Sequence, residues 1–159
     1  MQVKVQQAKD ADIPIVATMV GELLSEIMTT IGVAAFQFDL AQTQKRLSDF
    51  LQHKPYYVWV ARNEAGDAIG FLTAYESYAL YAEGAFGTIT ELYVKPAYRS
   101  FGVGQLLLEE VKAFGKTQSW TRLEVTTPPL PAFDKALGFY EREGFEITGG
   151  RKLKVLLTE

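Results

Sequence analysis

The chain has 159 residues, 48% of them hydrophobic and 22% charged, and 16 basic against 19 acidic side chains give a net charge of −3. That length fits one domain spanning residues 1–159 with a real core. The absence of cysteine and the single histidine, His53, exclude disulfides, thiolate zinc sites, a catalytic cysteine and multi-histidine metal sites. A slightly acidic balance leaves no basic footprint for nucleic acid. No run of about 18 apolar residues marks a membrane span, and Met1-Gln2-Val3-Lys4-Val5 has no signal-peptide core. A cytoplasmic protein without nucleic-acid or membrane partners is the expectation.

Val3 and Val5 alternate with polar neighbours, so residues 2–7 read as a strand. Asp10 or Asp12 can cap a helix that tolerates Pro14 in its first turn. Val16, Met19, Val20, Leu23, Leu24, Ile27 and Ile31 give that helix one apolar face, and Gly32 can end it. Asp39 can cap a second helix carrying Leu40, Leu47, Phe50 and Leu51; His53 falls near its end as a solvated surface residue. Tyr56 to Ala61 is an apolar, β-branched and aromatic run, a buried strand. Asn63-Glu64-Ala65-Gly66-Asp67 has turn chemistry, and Ala68 to Tyr75 returns antiparallel. Ser77 to Gly87 shows no clear period, and Thr88 to Val94 is the next strand. Val103, Leu107, Val111 and Phe114 mark a helix, Arg122 to Thr126 a strand, and Thr127 to Pro131 a loop. Phe133, Ala136, Leu137 and Tyr140 share a face of a last helix, with Gly144 as its cap. Phe145 to Thr148 and Lys152 to Leu157 read as a final hairpin around Gly149-Gly150. Trp59 and Trp120 read as packing residues. The order predicts an α/β (α+β) protein with a mixed sheet and one strand-helix-strand crossover joining parallel neighbours.

The most informative stretch runs from Glu91 to Gln105. A strand ends, a loop follows, and a helix opens with Gly102 and Gly104 in or beside its first turn. The first amides of a helix lack internal partners and the helix dipole makes that end positive, so the turn suits a phosphate or pyrophosphate. A P-loop needs Lys and Ser/Thr after its second glycine, but Gln105 and Leu106 stand there. A dinucleotide fingerprint needs a third glycine, where Leu107 stands.

Arg99-x-x-Gly102-x-Gly104, after Leu92-Tyr93-Val94-x-Pro96, closely resembles motif A of the GNAT superfamily of acyl-CoA-dependent N-acyltransferases. Ala136-x-x-x-Tyr140-x-x-x-Gly144-Phe145 is similar to its motif B. The resemblance implies a GNAT-like mixed, mostly antiparallel twisted sheet with flanking helices and one parallel β-α-β crossover. It implies acetyl-CoA as co-substrate, no metal, and direct transfer to a small-molecule or peptide amine in a ternary complex. The backbone of Leu92, Tyr93 and Val94 would pair with pantetheine. Amides from Ser100, Phe101, Gly102, Val103, Gly104 and Gln105 would hold the pyrophosphate, with Arg99 opening the motif. One departure is Phe133, where family members often carry a cofactor-contacting Asn. A catalytically inactive acyl-CoA-binding module is the alternative that this departure raises. Dimers are common in the family, so a homodimer is a further expectation.

A lysine-like amine is only about one part in 2,500 neutral at pH 7, and deprotonating it costs roughly 4.6 kcal/mol. A carboxylate, directly or through water, can take that proton. Glu91, which alternation places on a face with Ile89 and Tyr93, is one candidate, and Glu124 on the next strand is the other; a substrate that arrives already neutral needs no base. Tyr140 occupies the position of the family's general acid, to meet the departing thiolate. Tyr75, Tyr78 and Tyr81 with Glu76 and Glu83, and Phe36, Gln37 and Phe38, are candidate linings for the acceptor.

Overall fold

Alternating and β-branched runs form the five strands β1 (Lys4–Gln7), β2 (Tyr56–Arg62), β3 (Ala68–Ala79), β4 (Gly84–Val94) and β5 (Leu123–Val125). Helical spacing and caps form α1 (Ile13–Ile31), α2 (Leu40–His53), α3 (Val103–Thr117) and α4 (Asp134–Arg142). The computed structural model describes residues 1–158 and divides into two units, residues 1–126 and residues 127 onward.

The first unit is a single sheet in the order β1-β2-β3-β4-β5, antiparallel throughout except for the parallel β4–β5 pair joined by α3. Two caps lie where the residue chemistry put them, whereas Asp12 precedes α1 without capping it, its carboxylate accepting from the Lys9 amide and from Arg62. Asp39 Oδ1 accepts from the Gln42 amide at 2.8 Å at the start of α2, and Gly32 ends α1 in the left-handed region at φ +70°. α1 and α2 lie on one sheet face: Val16 and Met19 of α1 and Leu47 of α2 pack with Val58, Val60, Phe71 and Tyr93. Asp10–Ile31 is long and apolar enough by composition to cross a membrane, but Val16, Ala17 and Met19 are fully buried here. Val16 and Met19 each contribute roughly 1.5–3 kcal/mol by leaving water.

α3 covers the opposite face. Its positions Val103, Leu107, Leu108 and Val111 are buried, and Phe114 touches the rings of Tyr57, Trp59 and Trp120 at centroid distances of 4.6, 5.4 and 5.6 Å. Trp120 sits against two glycines, where a Cβ on Gly87 of β4 or on Gly115 of α3 would come within 2.4 or 2.8 Å of its ring. The aperiodic stretch 77–87 is not a loop: β3 continues to Ala79 and β4 starts at Gly84, forming a ribbon that the Ser77–Thr88 hydroxyl pair joins at 2.7 Å.

In the second unit α4 follows an irregular segment and ends in Gly144 at φ +97°, with the Phe145 amide donating to the Tyr140 carbonyl at 3.0 Å. The hairpin expected at 145–157 is absent from the described residues. Gly149 and Gly150 do turn the chain, at φ +89° and +78°, but neither arm pairs. A two-stranded hairpin with no surface to bury its apolar face is marginal in water, and Ile147, Leu153, Val155, Leu156 and Leu157 are all more than 70% exposed.

Candidate active site

The site grows from an interruption in β4. Its pairing with β3 runs to Val94, whereas its pairing with β5 covers only Gly87, Thr88 and Ile89. Beyond Ile89 no strand among the described residues lies against the β5-side edge of residues 90–94. An edge strand accepts another extended chain through backbone groups that no strand takes up; Leu92, Tyr93 and Val94 lie along this stretch, where the Val94 carbonyl already accepts from Arg99.

Just beyond, the chain turns through Ser100 at φ +69° and Gly102 at φ +82° into α3. Gly102 is there for its backbone: the left-handed conformation favours glycine, and a Cβ would meet nothing within 4 Å. No side chain caps the N-terminus of α3, so the amides of its first turn, Val103, Gly104 and Gln105 among them, point out without a cap. Val103 itself is buried through its side chain, while Phe101 is 66% exposed. An uncapped helix start beside an open strand edge fits a ligand with an anionic end and an amide-bearing arm, which is the shape of coenzyme A.

Arg99 is differently employed. Its Nε donates to the Val94 carbonyl at 2.7 Å and its Nη2 pairs with Glu26 Oε1 of α1 at 2.6 Å, with the guanidinium 5.7 Å from the Tyr93 ring centre. It braces the loop against α1. Tyr93 is buried, its hydroxyl donates to Glu22 Oε1 at 3.1 Å, and burial first and Glu22 second push it up to about 12. Its side chain is thus committed to the fold, and its backbone pairs with Phe71 of β3.

Glu91 lies in the open half of β4, on the α1/α2 face with Tyr93, but Ile89 lies on the opposite face. A bulge between them causes this: Glu91 pairs with Thr73 and Ile89 with Ala74, leaving Thr90 as the extra residue. One inserted residue breaks the two-residue period and re-aims the side chain. Glu91 Oε1 accepts from Tyr56 Oη at 3.1 Å and from Thr73 Oγ1, and Thr73 Oγ1 accepts from the Glu91 amide at 3.0 Å. Tyr56 and Thr73 were not foreseen from the sequence. The available signal was Thr73 itself, a polar residue inside the apolar run of β3 and 1% exposed in the structure.

Glu124 sits on β5 in an ion pair with Arg122 at 2.7 Å, both side chains about 40% exposed. The expected acceptor linings lie on different elements, and Tyr75 stands opposite Tyr56 in the β2–β3 register. Glu76 accepts from Trp120 Nε1 at 2.7 Å and from Tyr78 Oη, on the α3 side of the sheet away from Glu91. Phe38 lies over Gly21 of α1, where a Cβ would come within 2.7 Å of its ring. His53 is in the last turn of α2. In the second unit Tyr140 packs between Phe139 and Phe145 at 5.3 and 5.4 Å, and burial pushes its hydroxyl up to about 12. Phe133, at the usual Asn position, stands just before α4 and donates its amide to the Pro129 carbonyl at 3.1 Å. No cluster of three potential metal ligands occurs among the described residues.

Comparison with known proteins gives a consistent picture. A family model described as an acetyltransferase (GNAT) domain matches residues 54–147. The peptidyl-lysine N-acetyltransferase YjaB of Escherichia coli is 29% identical over 133 residues, covering 81% of this chain and 78% of that protein. Among solved structures, a ribosomal-protein-alanine N-acetyltransferase from Brucella melitensis superposes with TM-score 0.77 at 17% identity, covering 98% of this chain and all of that one. A predicted acetyltransferase with acetyl-CoA from Clostridium acetobutylicum superposes with TM-score 0.76 at 17% identity, covering 98% and 97%.

Proposed function

The chain belongs to the GNAT acetyltransferase family and is an acetyl-CoA-dependent N-acetyltransferase, and from that premise we propose that it moves the acetyl group directly to a lysine side-chain amine of a peptide or protein. The similarity to YjaB supports the acceptor class. The observation that carries the reading is the open edge of β4 beside the uncapped start of α3, with the Glu91 carboxylate on the same half-strand.

Acetyl-CoA would lay its pantetheine along Leu92 to Val94 and its pyrophosphate on the amides of 100–105, with Arg99 bracing that loop from behind. Glu91 takes one proton from the ammonium, directly or through a water, and the freed amine attacks the thioester carbonyl. The C–S bond breaks as the C–N bond completes, and the second nitrogen proton ends on the sulfur. At a pKa of about 12, Tyr140 would lose about 5 kcal/mol in passing its proton outright to a thiolate of pKa near 8.5. A hydrogen bond from a hydroxyl that stays protonated is therefore its role. Residues 1–159 act as one acetyltransferase domain in this scheme.

The test is release of free thiol from acetyl-CoA against a panel of amines that includes lysine peptides, N-terminal amines, polyamines and aminoglycosides. Lysine peptides should give the highest kcat/KM, and a preference for another amine overturns the acceptor assignment. Binding of coenzyme A without turnover of any amine would instead mark an inactive binding module. Tyr140→Phe should keep the Kd for coenzyme A and lower kcat at least tenfold, on the order of one lost transition-state hydrogen bond; unchanged kcat removes Tyr140 from the chemistry.

A further inference from the structure

We propose that Tyr56 and Thr73 are positioning residues that fix one carboxylate oxygen of Glu91, Oε1, and leave the other, Oε2, to meet the acceptor amine; this rests on the assignment of Glu91 as proton acceptor.

One placement of the hydrogens supplies both contacts to an ionised Glu91. Thr73 Oγ1 has one proton and two lone pairs. The Glu91 amide donates to it at 3.0 Å, and the Thr90 hydroxyl stands 2.7 Å away. Glu91 Oε1 can only accept, so the Thr73 proton goes to that oxygen and Thr90 donates to Thr73. Tyr56 Oη supplies the second donor to the same oxygen at 3.1 Å. Both donors therefore converge on Oε1.

The two donors are themselves held. Thr73 is 1% exposed in the middle of β3, and it grips both the backbone and the side chain of Glu91 across the bulge. Tyr56 opens β2, and its ring packs against Phe50 of α2 at a centroid distance of 5.1 Å. Burial, and next the charge of Glu91, raise the Tyr56 hydroxyl well above its ordinary range, so it remains a donor. A glutamate has three rotatable side-chain bonds, and a proton acceptor must come within hydrogen-bond reach of the nitrogen it serves. Fixing one oxygen removes most of that freedom without using the oxygen that reacts.

Both residues come from strands that pair with β4 or with its neighbour, so the clamp is a product of register. Tyr56 stands opposite Tyr75, and Thr73 stands opposite Glu91. The substitution that deletes one donor and keeps the ring is Tyr56→Phe. For Thr73, serine keeps the hydroxyl and valine keeps the shape.

The experiment is a double-mutant cycle on kcat with saturating acetyl-CoA and a lysine-containing peptide, using the full chain, Tyr56→Phe, Glu91→Gln and the double variant. Tyr56→Phe should lower kcat about tenfold, the rate equivalent of one hydrogen bond to a charged group, and leave the KM for acetyl-CoA unchanged. In the Glu91→Gln background the same substitution should cost nothing further. Thr73→Ser should retain the wild-type rate while Thr73→Val falls about tenfold. An equal loss from Tyr56→Phe in both backgrounds, or no loss in either, overturns the clamp while Glu91 stands; so does a Thr73→Ser variant as slow as a folded Thr73→Val. A Glu91→Gln enzyme at the wild-type rate removes the proton-acceptor reading, and the clamp with it. The tyrosine cycle decides the matter even if Thr73→Val does not fold.

Discussion

From Ala85 to Ile89, β4 has hydrogen-bonded neighbours on both edges, and its Gly87 lies under the ring of Trp120; from Thr90 to Val94 the same strand has β3 on one edge and, among the described residues, no strand on the other. The first half is finished structure. Its Phe86 and Ile89 are buried, and a Cβ added at Gly87 has no room. The second half keeps backbone polar groups in reserve and carries the bulge that turns Glu91 onto the α1/α2 face. In the proposed scheme one strand serves as core and as reaction edge, with the changeover where β5 departs. Substitutions in the two halves should fail in different ways: loss of stability in the first, loss of rate in the second.

The sharpest separation comes from Glu91→Gln, which keeps the shape of the side chain and removes its capacity to take a proton. Turnover should fall about 100-fold, within the usual range for a general base, while the thermal midpoint moves by no more than about 2 °C, below the effect of 1 kcal/mol in a chain this long. A normal kcat ends the division of β4 into two halves. Gly87→Ala is the mirror case. The new methyl group would come within 2.4 Å of Trp120 and 2.7 Å of Leu123, so overpacking should cost about 1–3 kcal/mol. Calorimetry should show a lower midpoint, and kcat of the folded protein should stay within about twofold of wild type, because no reacting group has moved.

Much of this was legible in the chain, and what was not has a common cause. Asp39, Gly32 and the 103–107–111 spacing fix helix ends and faces through contacts a few residues apart, and they stand where the sequence put them. The strand ending at Val94 and the glycine turn after it likewise stand where local residues put them. The bulge at Thr90 is a property of two strands in register, so simple alternation put Ile89 beside Glu91 when it lies on the other face. Nothing local shows the partner of Arg99, because Glu26 is 73 residues away. The Tyr56 hydroxyl reaches Glu91 across 35 residues. The last two strands had the right residue types but form no strand pairing among the described residues.

Gly102→Ala probes the junction between the open half and α3. At φ +82° a methyl side chain should cost about 1–2 kcal/mol of backbone strain, although it meets no neighbour. Because the strain falls on the amides that would face the pyrophosphate, the Kd for coenzyme A should rise about fivefold, roughly 1 kcal/mol, with a similar loss of stability. A variant that loses stability and binds coenzyme A normally would detach the helix start from the cofactor and leave the strand edge to hold it alone.

The smallest effect is expected at Glu124, and it tests where the reactive half ends. Glu124 is in register with Thr88, beside the closed half of β4, and its carboxylate is paired with Arg122 at 2.7 Å. Both side chains are about 40% exposed, and an exposed pair of this kind contributes about 0–1 kcal/mol. Arg122 keeps other supports, since its guanidinium lies 5.1 and 5.2 Å from the ring centres of Tyr81 and Phe86. Glu124→Gln should therefore leave kcat within about twofold, and stability within about 0.5 kcal/mol. A tenfold fall in kcat would make Glu124 a proton acceptor despite its ion pair. The chemical half of the sheet would then extend across β5, and the point where β4 and β5 separate would no longer mark its boundary.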